Sequence, residues 1–251
     1  MEKQKIDKKT GVSIVIPVKN ERDNVIPLVD RIHQIMDKQE TKYEVIFVDD
    51  GSSDGTLDVI KSLSNDPVIK YLSFDKNYGQ TSAFAAGFDY ATYDIIVTMD
   101  GDLQSDPIDI PMLLSEMDNV DMVTGYRLKR HDSFVRRTSS KIANFVRNKF
   151  TGDNIIDVGC SLRAFKKSCL KDIKLYEGLH RFFPTLFKME GYKVKQIGVH
   201  HHPRTMGKTK YNIKNRLFKG IRDLFAVRWM QRYHLKYKIR ESSIKGDRND
   251  R

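Results

Sequence analysis

The chain has 251 residues, 39% of them hydrophobic, which suffices for one large α/β domain with appendages, and it carries a net charge of +11. The excess lies late: residues 204–251 hold 15 lysines and arginines against 4 acids, while residues 1–203 hold 29 of each. No apolar run approaches the roughly 18 residues of a membrane span, the charged amino terminus lacks a signal-peptide core, and Cys160 and Cys169 form no metal-ligand pattern, so a spanning, exported or thiol-metal protein is not expected.

Strand and helix signals alternate from the start. Val12–Val18 reads as an apolar strand, and Val25, Ile26, Leu28, Val29, Ile32, Ile35 and Met36 keep a 3.6-residue period that predicts a helix over 24–36. Tyr43–Val48 predicts a second strand running into Asp49-Asp50-Gly51-Ser52-Ser53-Asp54-Gly55-Thr56, where Asp54 is placed to cap a helix over 56–63. A third strand over 68–74, a small-residue helix ending at Tyr90 and a fourth strand from Asp94 complete the first hundred residues. Four strands alternating with three helices predict a mainly parallel, doubly wound sheet. Ligands of such sheets bind at the carboxyl ends of the strands, so loops 17–21, 49–54, 75–80 and 100–104 are expected around one crevice.

The fourth strand opens abruptly into D-G-D-L-Q, residues 100–104. On an extended backbone the D-x-D spacing puts Asp100 and Asp102 on one side, where two carboxylates can share a hard cation of the kind that accompanies diphosphates. Taken alone, D-G-D suits a solvated turn equally well. Neither G-x-G-x-x-G nor a P-loop occurs, so dinucleotide oxidoreductases and P-loop ATPases lose ground. Acids at successive strand ends suit ribose hydroxyls, base N–H groups and a metal instead.

A short helix through Met112-Leu113-Leu114 and a strand over 121–125 lead to Tyr126-Arg127. Between Ser133 and Phe150, Phe134, Val135, Ile142, Phe145 and Val146 share one helical stripe opposite Arg137, Lys141, Asn144 and Asn148, suiting either a cap on the sheet or a helix in a membrane interface. Past Asp157–Phe165, helices around 168–173 and 179–189 precede a strand over 193–199. Of the adjacent His200, His201 and His202, alternate members face opposite sides of an extended chain and no spaced ligand follows, so zinc is set aside. The basic, glycine-containing loop after them is expected to grip phosphate. From 213 to 239 a helical pattern sets Leu217, Phe218, Ile221, Leu224, Phe225 and Trp229 against Lys214, Lys219, Arg222 and Arg232, with Arg228 snorkelling from the apolar side. The expected organisation is a disordered 1–10, a catalytic 11–203, a basic loop with an amphipathic membrane-proximal helix over 204–240, and a disordered 241–251.

S-I-V-I-P-V-K-N-E (13–21), V-D-D-G-S-S-D-G-T (48–56), M-D-G-D-L-Q (99–104) and G-Y-R (125–127) together resemble the strand-end motifs of the family 2 glycosyltransferases of GT-A fold, over roughly residues 10–240. D-x-D-L-Q-x-x-P, with an H-x-x-R-x-x-G-x-[ST]-K pattern at His201–Lys210, is similar to the branch of dolichol-phosphate mannosyltransferases and bacterial polyprenyl-phosphate transferases. The resemblance implies a Rossmann-like, mainly parallel sheet with helices on both faces, and inverting transfer of a sugar from a nucleotide-sugar donor such as GDP-mannose or a UDP-hexose. It implies that Pro17, Asn20, Glu21, Asp49 and Asp50 meet base and ribose, with Lys76, Gly79 and Gln80 beside the nucleotide. Asp100, Asp102 and Gln104 would hold Mg²⁺ or Mn²⁺, and Arg127, Arg137, Ser140, Arg204 and Lys210 would meet an acceptor phosphate. Asp102, Arg127 and Arg204 are the implied catalytic residues.

Chemistry points to a lipid phosphate independently. An alcohol acceptor needs a positioned base, whereas a phosphate monoester, with a second pKa of about 6, is already an anionic nucleophile. C-S-L-R at 160–163 offers no acidic pair, and Asp157 is the only carboxylate nearby. The rival is transfer to a glycan or glycolipid hydroxyl in envelope polysaccharide synthesis, with Asp157 as base. Nucleic acid is not an expected partner, since the basic tail lacks regularly placed stacking aromatics. The expected location is cytoplasmic, peripheral on the cytosolic face of a membrane, held by an anionic surface or a membrane-protein partner.

Overall fold

The computed structural model describes residues 11–128, 147–203, 213–235 and 240–241, and of 213–219 the backbone alone. Seven strands form one sheet in the order β3-β2-β1-β4-β6-β5-β7. The parallel half comprises β1 (Val12–Val18), β2 (Tyr43–Asp49), β3 (Ile69–Ser73) and β4 (Ile95–Thr98), with β5 (Met122–Arg127), β6 (Arg163–Lys166) and β7 (Val194–Val199) completing the sheet. β1 is buried throughout and pairs with β2 from Val12↔Tyr43 and with β4 from Val12↔Ile95.

Alternation along each strand builds a core on each face. Val12, Ile14, Ile16 and Val18 pack with Val25, Leu28, Ile32 and Met36 of α1 (Arg22–Met36) and with Leu113 of α4 (Ile110–Ser115). Val15, Ile46, Ile96 and Phe165 turn the other way, onto α3 (Gln80–Tyr90) and α5 (Phe183–Met189). α2 (Thr56–Ser62) joins the first face through Ile60. A Cβ at Gly87 would lie 2.3 Å from Val15 Cγ1, so α3 sits on β1 at a distance only glycine permits. Asp54 accepts the Thr56 amide and hydroxyl just ahead of α2, but the N-cap position itself falls on Gly55, at φ +88°, one residue later than expected.

Two features of the sheet depart from the expected pattern. β6 carries no strand signal in the sequence, yet it inserts antiparallel between β4 and β5, pairing Thr98↔Arg163 on one side and Thr124↔Arg163 on the other. β5 also runs two residues further than expected, so Arg127 is its last residue.

The last helix, α6 (Ile213–Tyr233), has two apolar faces where one stripe was expected. Leu224, Val227 and Met230 pack on the core, and the buried Asp223 among them pairs with Arg181 at 2.6 Å, so Leu224 leaves the expected stripe. The outward face carries Ile221, Phe225, Trp229 and Tyr233, each 46–64% exposed. Of the helix expected between 133 and 150, residues 147–151 are helical, while 133–146, the termini 1–10 and 242–251, and the side chains of Leu217 and Phe218 lie outside the described residues.

Candidate active site

The loop after β4 crosses the end of β1 so closely that a Cβ at Gly101 would lie 2.7 Å from Val18 Cγ1. Leu103 is held at φ +61° with its side chain buried, a left-handed conformation that costs a non-glycine residue about 1 kcal/mol. These constraints fix the backbone between the two carboxylates and just after the second.

Asp100 accepts from Gln80 Nε2 at 2.7 Å, and its amide donates to Ser161 Oγ at 3.1 Å. Burial pushes its carboxyl above the ordinary range, against the opposing pull of the Ser161 hydroxyl, Arg163, Gln80 and Arg127. Asp102 is partly open to the crevice, and its Oδ1 accepts the Gln104 amide at 3.2 Å. Gln104 Nε2 donates to the His202 carbonyl at 3.3 Å, so its side chain spans to the segment after β7. Among the described residues no group of three or more His, Cys, Asp or Glu could cage a metal by itself. Two carboxylates suit a hard cation that completes its shell with diphosphate and water oxygens, and the donor set fits that role.

The two acids at the end of β2 hold neighbouring loops together. Asp49 accepts from the Ser52 amide and the Ser73 hydroxyl, each at 3.2 Å. Asp50 accepts the Tyr78 amide at 2.7 Å and the Gly79 amide at 3.0 Å. Gly79, at φ +91°, takes a backbone shape that side chains rarely adopt. Asn20 Oδ1 accepts the Ser53 amide at 2.8 Å, and the Glu21 amide donates to Thr56 Oγ1 at 2.9 Å. Pro17 pairs opposite Val48, and Lys76 stands at the exposed rim with its ammonium 5.2 Å from the Tyr78 ring centre. The expected donor-side residues therefore gather around one crevice, with the acids placed by backbone amides.

On the other flank, Arg127 forms a two-pronged pair with Asp157: Nε to Oδ2 at 2.6 Å and Nη2 to Oδ1 at 2.8 Å. Oδ1 also accepts the Gly159 amide at 3.0 Å. Behind both carboxylates lies Arg163, 2% exposed, donating to the carbonyls of His180 and Val158. His180 Nδ1 lies 2.7 Å from the Thr81 hydroxyl, which accepts the Gly178 amide at 2.9 Å. Burial, then Arg163 and Arg181, push the His180 imidazole down to about 3, so it is neutral. Ser161, Arg163, Thr81 and His180 are absent from the sequence-derived list; the hint was polar residues inside apolar stretches. Arg137, Ser140, Arg204 and Lys210 lie outside the described residues.

Comparison with known proteins bears directly on this arrangement. The model of the glycosyl transferase family 2 matches residues 13–174. A dodecaprenyl-phosphate galacturonate synthase of Rhizobium johnstonii is 38% identical over 229 residues, 88% of this chain and 68% of the relative. An undecaprenyl-phosphate 4-deoxy-4-formamido-L-arabinose transferase of Yersinia pestis is 36% identical over 218 residues, 86% of this chain and 66% of the relative. The chain thus spans about two thirds of the length of these relatives. A solved glucosyl-3-phosphoglycerate synthase from Mycobacterium tuberculosis, in complex with Mn²⁺, UDP-glucose and phosphoglyceric acid, superposes with a TM-score of 0.69 at 15% identity. That match covers 89% of this chain and 80% of the other, a likeness of fold. Family model, relatives and fold agree, and the chain belongs to glycosyl transferase family 2.

Proposed function

We propose that the protein transfers a sugar from a nucleotide-sugar donor to a polyprenyl phosphate, with inversion, at a membrane surface. The observation that carries this reading is the Arg127–Asp157 pair. With both Asp157 oxygens accepting from one guanidinium and one of them from Gly159 as well, the carboxylate read from the sequence as the base for a hydroxyl acceptor is already engaged on both oxygens. A phosphate acceptor needs none. Its anionic oxygen attacks the anomeric carbon, the bond from that carbon to the diphosphate oxygen breaks, and the electron pair leaves with the nucleoside diphosphate.

In this scheme Asp50, Asn20 and the Gly79 loop receive base and ribose, and Asp100 and Asp102, oriented by Gln80 and the Gln104 amide, hold Mg²⁺ or Mn²⁺. A cation held there would supply positive charge to the departing diphosphate. Arg127 and Arg204 supply positive charge to the incoming phosphate, a role in which the sequence resemblance also includes Arg137, Ser140 and Lys210. Two relatives named for polyprenyl-phosphate sugar transfer and a structural neighbour solved with Mn²⁺ and UDP-glucose support the acceptor and cofactor classes.

Membrane contact is assigned to the outward face of α6. Ile221, Phe225, Trp229 and Tyr233 recur every fourth residue and stand exposed among the exposed Arg222, Arg228 and Arg232, the pattern of an interfacial helix on anionic lipid. No helix among the described residues is long and apolar enough to cross a membrane.

The test offers labelled GDP-mannose, UDP-glucose and UDP-galacturonate with undecaprenyl phosphate and, separately, with undecaprenol. Transfer to the phosphate alone is expected. Transfer to the free alcohol at equal rate would return Asp157 to the role of base.

A further inference from the structure

The three histidines after β7 are the motif that catalysis leaves unexplained, and two of them are bound in a way that fits neither a metal site nor a solvated strand end. His202 Nε2 lies 2.7 Å from Asp106 Oδ2. His200 meets the buried Asp109 twice, through its amide at 2.6 Å and Nδ1 at 2.8 Å. Both carboxylates belong to the segment that follows D-G-D-L-Q. The backbone joins in the same place: the His202 amide donates to the Gln104 carbonyl at 2.8 Å, Gln104 Nε2 returns a bond to the His202 carbonyl, and Ser105 and His201 form an antiparallel bridge. Residues 200–202 are thus stitched to residues 104–109 at each step.

We propose that His200 and His202 are positioning residues that leash the acceptor-binding loop to the metal-binding loop. The inference rests on the proposed function in one respect, the assignment of Arg204 to the acceptor phosphate. Arg204 follows His202 by two residues in the sequence. Asp102 precedes Gln104, the first stitched residue, by the same interval. Each end of the clamp therefore sits two residues from a group assigned to one substrate, and the clamp sets the spacing between the attacking phosphate and the donor diphosphate. An error of about 1 Å in such spacing is enough to reduce transfer strongly.

The imidazoles are half-exposed, with side-chain exposures of 46% for His202 and 64% for His200, so each pair is individually modest. His202→Ala and Asp106→Ala are each expected to raise the Michaelis constant for undecaprenyl phosphate roughly three- to fivefold, with His200→Ala/His202→Ala reaching tenfold or more. Affinity for UDP with Mn²⁺ should stay within about twofold of the parent protein, because the donor-side bonds are untouched. Combining Asp106→Ala with His202→Ala should add nothing beyond the stronger single variant, and His202→Gln, which can still donate to Asp106, should restore most of the parent value. Additive losses, equal behaviour of His202→Gln and His202→Ala, or a matched loss of UDP–Mn²⁺ affinity would overturn the proposal. Amide hydrogen exchange gives a readout independent of the acceptor. The His202 amide should exchange faster in Asp106→Ala while the amides of β4 do not change, and unchanged exchange at His202 rejects the clamp even if polyprenyl phosphate proves to be the wrong acceptor.

Discussion

Asp157→Asn tests the central chemistry most sharply. In the parent protein two charge-assisted bonds of 2.6 and 2.8 Å tie Arg127 to Asp157, whose side chains are only 18% and 8% exposed, so solvent screening offsets little. Asparagine keeps one acceptor and turns an amide N–H₂ toward the second guanidinium nitrogen, so the clamp loses about 1.5–3 kcal/mol. Through a misplaced Arg127 this corresponds to roughly ten- to hundredfold in kcat/KM for undecaprenyl phosphate. Removing a true general base costs about 10²–10⁴, and the ranges touch, so a double-mutant cycle separates them. If the carboxylate acts through the guanidinium, Arg127→Ala/Asp157→Asn is no worse than Arg127→Ala alone. The acid limb of the pH profile should also persist near pH 6 in every variant, because it belongs to the second ionisation of the acceptor phosphate. A further hundredfold loss in the double variant, together with disappearance of that limb, would refute the reasoning and make Asp157 the base.

Asp102→Asn should abolish turnover while leaving the melting temperature of the free protein within about 2 °C, and excess EDTA should silence the parent enzyme; full activity in either case rejects the metal assignment. His180 has its imidazole pushed down to about 3, so its unfolded form gains a proton below about pH 6.5 that the folded form does not take up. Its contribution to stability is therefore complete above pH 6.5 and is lost as pH falls, by about 2 kcal/mol at pH 5. Urea titrations of the parent and of His180→Gln should show that difference in pH dependence, and parallel profiles would reject it. Phosphatidylglycerol vesicles should carry the protein in flotation and release it as salt rises, whereas Phe225→Ser/Trp229→Ser should stay at the bottom; equal flotation of both proteins would move the contact away from α6.

The parallel half of the sheet was legible because its evidence is local: unbroken apolar runs, turn clusters at their ends, and acids where the runs stop. The crevice followed from topology alone, and the loops at Asn20, Asp50, Gly79 and Asp100 do meet there. What stayed hidden depends on partners distant in sequence. β6 is four residues long, R-A-F-K, and is a strand only because β4 and β5, whose paired residues lie 39 to 71 positions upstream, pair with it. Asp157 reads as a candidate base until Arg127, 30 positions away, is found on both its oxygens. The single-stripe reading of the last helix failed at Leu224 for a related reason. A charged residue, Asp223, belongs to the inward face, where Arg181 pairs with it, so apolarity alone misassigns the sides.

The antiparallel insertion of β6 has a further consequence for how damage spreads. The groups proposed for the donor hang from β1 to β4, and Arg127 hangs from β5; within the sheet the two halves are joined by a seam four residues wide, β4 against β6. Thr98 Oγ1 on the Ser161 carbonyl and Ser161 Oγ on the Asp100 amide are the stitches on the donor side of that seam. A lesion that frays it leaves nucleotide recognition anchored in the intact parallel half while separating it from the machinery of transfer. Substitutions at Leu162, Ala164 and Phe165 should therefore yield proteins that hold a nucleotide and do nothing with it, a phenotype easily mistaken for loss of a catalytic side chain.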